Sequence, residues 1–172
     1  MESTFEEYKK WLNAPLDPNV DRKYKTALEL LAPRKILEGR LLIEKEKKDA
    51  TAHLATYKEY IDLELKEENP VRIRSIYERR ITDHCLNPQV WIEYSEYLEN
   101  KLKDYESSHD ILSRGVRNCN WSGELWVRVL KCGERLGHSK TEICKQLEVG
   151  LQAGLGIIHI LCKQTFGHFL SY

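Results

Sequence analysis

Aromatic and apolar residues of this chain recur at one fixed interval. Trp91 returns thirty-five residues later as Trp126, and the same offset links Tyr77 to Leu112 and Leu147, Gly115 to Gly150, and Ile81 to Val116 and Leu151. A period of roughly 20 to 50 residues marks an array of small units that cannot bury their apolar faces alone and share one core. Within each period the apolar residues fall three and four apart, the spacing of one helical face. The first helix of each predicted pair carries Tyr57, Tyr60 and Glu64, then Trp91, Tyr94 and Leu98, then Trp126, Val129 and Gly133. The second carries Ile73, Ile76, Tyr77 and Ile81, then Ile111, Leu112 and Val116, then Ile143, Leu147 and Leu151. The predicted fold is all-α, a solenoid of antiparallel helix pairs. Its expected core anchors are Tyr57, Tyr60, Ile76, Tyr77, Ile81, Trp91, Tyr94, Leu112, Val116, Trp126, Leu147 and Leu151.

Turn residues fall where such pairs need them. Glu68-Asn69-Pro70 places a proline at a first helical position, and Arg135-Leu136-Gly137-His138 places a glycine at a helix end. Asn87-Pro88 and Trp121-Ser122-Gly123 separate successive pairs, and Ala14-Pro15-Leu16-Asp17-Pro18 stops the first helix. The segment from Pro33 to Asp49 is heavily charged and reads as a solvent-exposed helix or a linker with a hinge. The expected organisation is an N-terminal degenerate unit over 1–50, repeats over 51–86, 87–121 and 122–154, and a divergent apolar tail over 155–172.

With nine Gly and five Pro in 172 residues, an all-β fold would lack turns. Lys plus Arg equals Asp plus Glu, so no global field draws the chain to nucleic acid or anionic membrane, and any RNA contact must be local. Cys85, Cys119, Cys132, Cys144 and Cys162 are odd in number and form no CxxC pair, which fits a reducing compartment and gives no metal-ligand spacing. The N-terminus is acidic and amphipathic, unlike a secretory or transit signal. The apolar stretch from Leu151 to Leu170 is interrupted by His159, Lys163, Gln164 and His168, which argues against a membrane span, and Ile157 to Leu161 is its candidate exposed patch.

No catalytic, cofactor or metal site is expected. His84 and Cys85 are adjacent, but consecutive helical residues point about 100 degrees apart, so the thiol lacks its base. The glycines from Gly150 to Gly156 lack the Lys-Ser or Lys-Thr of a phosphate loop and read as a helix end. Glu78 with Arg79, and Glu148, read as surface ion pairs. Arg72, Arg74, Arg79 and Arg80 form the densest basic cluster. Arg72, Arg74 and Arg79, with Trp121, are the candidate RNA or partner face, diluted by Glu78 and Asp83. Trp11, Trp91 and Trp126 are expected to be packing anchors, and Trp121 a cap over the junction of two units or, if exposed, an interface residue.

The Trp-x-x-Tyr of Trp91 and Tyr94, and the Arg-x-x-Tyr-Glu-Arg of Arg74 to Arg79, resemble the half-a-TPR (HAT) repeat of RNA-processing scaffolds. The strings TFEEYKKW, YKEYIDLELK, PVRIRSIYERRITDHCLNPQVWIEYSEYL and RGVRNCNWSGELW are similar to the HAT region of U4/U6 snRNP recycling factors over about residues 1–154. That resemblance implies a nuclear scaffold, also found in cytoplasm, that assists re-annealing of U4 and U6 RNA in mRNA splicing. It implies snRNP proteins and a ubiquitin-specific protease as partners, and a homodimer in the full-length form. The sequence departs from the family in having no RNA-recognition motif and in placing Leu161 and Gln164 where the next Trp and Tyr would stand.

Overall fold

The computed structural model describes residues 2–12 and 17–152, and the chain divides into two compact units, Met1–Asn69 and Pro70–Tyr172. The described residues in helices are α-helical apart from one π-helical turn.

The N-terminal unit holds α1 (Glu2–Leu12), α2 (Pro18–Glu46) and α3 (Ala50–Lys66). Asp17 and Asp49 start α2 and α3 by accepting the backbone N–H groups of Asn19 and Ala52, at 2.8 and 3.0 Å. The charged segment beginning at Pro33 is neither linker nor wholly exposed. It is the second half of a continuous helix that packs on α3, with Leu37 and Leu41 buried one turn apart. A proline inside a helix removes the donor to the carbonyl four residues earlier, Glu29 for Pro33; one residue on, the Arg34 guanidinium donates to the Leu30 carbonyl. Trp11 is a second correction. It is 79% exposed, because α1 is held through Phe5, whose ring lies 3.5 Å from that of Tyr24.

The C-terminal unit runs α4 (Pro70–Asp83), α5 (Pro88–Tyr97), a π-helical turn (Leu98–Leu102), α6 (Tyr105–Asn118), α7 (Gly123–Arg135) and α8 (Lys140–Gln152). Each helix packs on the next. Asn87, Asp104 and Ser122 cap α5, α6 and α7, and Ser139 with Glu142 forms a reciprocal capping box on α8. Three connections between consecutive helices use a left-handed residue at matching places along the sequence, Glu68, Lys103 and Gly137. Only the last is a glycine, so sequence alone marks only that one.

The core is aromatic at its centre. Tyr57 and Tyr60 are buried in α3; Ile76, Tyr77, Ile81, Trp91, Tyr94, Leu112, Val116, Trp126 and Leu147 are buried in the C-terminal unit. Tyr77 stacks on Tyr94 with centroids 4.8 Å apart and planes within 3°, and lies 5.4 Å from Tyr97. Burial, then the charge of Glu78, pushes the Tyr94 phenol up to about 12. The Leu151 side chain and the tail over 155–172 lie outside the described residues.

Gly115 lets α6 approach the Trp91 ring, since a Cβ there would meet Trp91 Cβ and Cγ at 3.1 Å. Trp91 is 2% exposed and cannot retreat. Gly115→Ala is therefore expected to destabilise the fold by about 1–3 kcal/mol despite alanine's better helix propensity. Gly39, whose Cβ would meet nothing within 4 Å, gives the opposite sign, with Gly39→Ala stabilising by up to about 1 kcal/mol. Urea unfolding of both variants checks the contrast.

Candidate interaction surface

Each corner between helix pairs in the C-terminal unit is fixed by an indole. Trp91 Nε1 donates to the Cys85 carbonyl at 2.9 Å, and Trp126 Nε1 to the Asn120 carbonyl at 3.0 Å. These are the same contact one repeat apart. The Cys119 thiol also points at the Cys85 carbonyl, 3.3 Å away, so the two corners adjoin. Burial pushes that thiol up from its ordinary value. Cys85 thus serves the fold through its backbone oxygen. The residue after each pinned carbonyl projects outward, Leu86 at 66% and Trp121 at 53% exposed. Trp121 is accordingly no buried cap.

The arginines of this unit mostly meet carboxylates on other helices. Arg74 reaches Asp104 at 2.6 Å, and Arg80, only 6% exposed at its side chain, reaches Glu93 at 2.5 Å. Arg114 binds Glu78 through two nitrogens at 3.0 and 3.2 Å while its guanidinium lies 5.6 Å from the centre of the Trp91 ring. Arg128 joins Glu96 and Glu124, and Arg135 joins Glu99. Glu78 therefore pairs across helices and not with its neighbour Arg79. Hydrogen bonds from Ser107, then Arg74, hold the Asp104 carboxyl below its ordinary range.

Of the basic cluster seen in sequence, Arg80 is buried and Arg74 is committed to Asp104, while Arg72 and Arg79 lie exposed on α4. Sequence reasoning missed Leu86 and Arg117. Applying the thirty-five-residue offset to Trp121 would have found the first. Arg117 is exposed, four residues before Trp121, and makes no ion pair among the described residues.

In the N-terminal unit Glu64, 1% exposed, binds Arg34 through two contacts of 2.6 and 3.1 Å. An open groove of about 470 Å³ runs beside them between α2 and α3, floored by Ile36, Leu37 and Leu63, with Arg40 and Glu59 on its rim. Among the described residues, no group of three or more His, Cys, Asp and Glu side chains is placed to hold a metal ion. No described helix is long and apolar enough to cross a membrane.

The comparisons agree with this architecture. The family model of the PRP39 C-terminal HAT repeat matches residues 44–121. Proteins called spliceosome associated factor 3, U4/U6 recycling protein, align over 154 residues, 90% of this chain: 40% identical in Mus musculus, 38% in Homo sapiens and 36% in Danio rerio. Over residues 44–121 the chain is similar to the HAT repeat. It spans 16% of the length of these relatives. In HAT terms, the matched stretch reaches from the end of α2 through both corners to Trp121.

Two measurements follow. Glu64→Ala, which strands Arg34 largely buried without its carboxylate, is expected to cost about 3 kcal/mol in urea unfolding, whereas Arg40→Ala, at an exposed pair with Glu59, leaves the midpoint unchanged. The second concerns His109, whose Nε2 is buried with no hydrogen-bond partner and whose ring meets His138 edge-on at 4.8 Å. Burial, then His138, holds its pKa below 6.5, while Asp110 pulls it upward. The folded state favours neutral His109, so this contribution is full above pH 6.5 and is lost as pH falls towards the lower folded-state value. The urea midpoint should drop as pH falls below 6.5, and His109→Gln should flatten that drop. Asp104 and Glu142, whose pKa values are lowered, lose their contributions only in more acid solution.

Proposed function

We propose that this chain is a non-catalytic HAT-repeat scaffold of pre-mRNA splicing, acting in U4/U6 snRNP assembly or recycling by holding protein partners, a ubiquitin-specific protease among them. The observation that carries this reading is the internal use of charge. Arg74, Arg80, Arg114, Arg128 and Arg135 each meet a carboxylate, so most arginines of the C-terminal unit are committed within the fold and are not free to hold a nucleic-acid backbone. Identity of 36 to 40% to proteins named for U4/U6 recycling supports the place in splicing, and with it a nuclear location. Exposed apolar side chains at the corners support contact with protein.

A second reading, favoured by the PRP39 repeat match, keeps the scaffold role and assigns it to another mRNA-processing complex. A third is direct RNA binding through Arg72, Arg74, Arg79 and Trp121. Affinity capture from nuclear extract with the full chain separates the three. The expected result is recovery of snRNP proteins and a ubiquitin-specific protease, retained after nuclease and at raised salt, and unchanged when Arg72, Arg74 and Arg79 are neutralised. Recovery of a different processing complex would select the second reading. U6 RNA bound by the purified chain, with a log–log salt slope of about −0.7 per phosphate contact and lost on that neutralisation, would select the third.

A further inference from the structure

We propose that Leu86 and Trp121 form a docking edge for an extended peptide of a protein partner, which brings two apolar side chains to this pair and a carboxylate to Arg117. The inference rests on the scaffold reading above and assigns it a surface. Both residues stand at the same repeat position, directly after a carbonyl held by a buried indole, and the two corners are joined through Cys119 and Cys85. Large apolar side chains on backbone fixed in this way are already ordered, so a partner loses little further freedom in covering them. Tryptophan and arginine are also the side chains most often found to dominate binding energy.

Charge selects the occupant. Arg117 stands in the last turn of α6, four residues before Trp121, and, among the described residues, has no carboxylate, whereas Arg74, Arg80, Arg114, Arg128 and Arg135 have theirs. An acidic residue beside the apolar pair complements it. Leu86 decides against a nucleic acid. Single strands are held by successive stacking faces along a run of cations, and here the repeat-equivalent neighbour of Trp121 is the aliphatic Leu86. Packed helices lie about 8–10 Å apart, so adjoining corners suit apolar residues about three apart on a chain that rises roughly 3.3 Å per residue.

The test is selection of a random twelve-residue peptide library on the full chain, followed by titration of the enriched peptides against variants. Enriched sequences should carry two apolar residues about three positions apart near Asp or Glu. Leu86→Ala and Trp121→Ala should each weaken them about tenfold, and Arg117→Glu should invert the preference towards basic peptides. These side chains are exposed, so the variants should retain wild-type helicity by circular dichroism. The proposal is overturned by failure to enrich any peptide, by enriched peptides that bind the Leu86→Ala, Trp121→Ala double variant equally well, or by a dodecamer of uridine whose binding, and not that of the peptides, depends on Trp121. If the double variant still captures splicing proteins from nuclear extract, the docking edge is wrong and the scaffold reading stands.

Discussion

A carbonyl at the corner between two helix pairs has no helical partner, and leaving it unsatisfied beside the core would be costly. In this protein the indole N–H at the centre of the next pair supplies the missing donor, at Cys85 and again at Asn120. One side chain thereby fills the core and fixes the path of the chain out of the previous helix. The rest of the C-terminal unit is built around it. Gly115 is small because the Trp91 ring needs the space, Arg114 lies over that ring, and the Cys119 thiol shares the carbonyl that the indole holds.

Charge is the second organising element. A composition balanced to zero suggests a neutral, unremarkable surface, yet the balance is local and directional. Arginines on α4, α6 and α7 reach acids one helix or one repeat away, and Arg34 does the same for Glu64 inside the N-terminal unit. These contacts set the register of neighbouring helices. They also explain why a cluster of four arginines in sequence is not a cluster of four free cations.

Much of the fold was legible because its determinants are local or periodic. Proline and asparagine at helix starts, a glycine after α7, and tryptophans at one fixed interval each act through backbone geometry or a single helical face. What was not legible depends on which helices meet. Arg80 and Arg79 are neighbours in sequence, but only Arg80 faces Glu93 on α5. Trp11 has the residue type of an anchor, yet Phe5 holds its helix and Trp11 points outward. The second half of α2 reads as an exposed helix or a linker because its charges outnumber its apolar residues; it is a helix, and Leu37 and Leu41 suffice to seat it. Of the candidate surface, sequence offered Trp121 and a basic cluster. Leu86 escaped notice because an exposed leucine is unremarkable until its repeat position is known.

Pinning the corners through carbonyls has an evolutionary consequence. Every residue carries a carbonyl, so the bond that fixes a corner places no demand on the side chains around it. Cys and Asn occupy the pinned position, and Leu and Trp the outward one, over the same backbone contact. Mutation can therefore rewrite what each corner displays at little cost in folding, and an array of this kind can acquire new recognition specificity one repeat at a time.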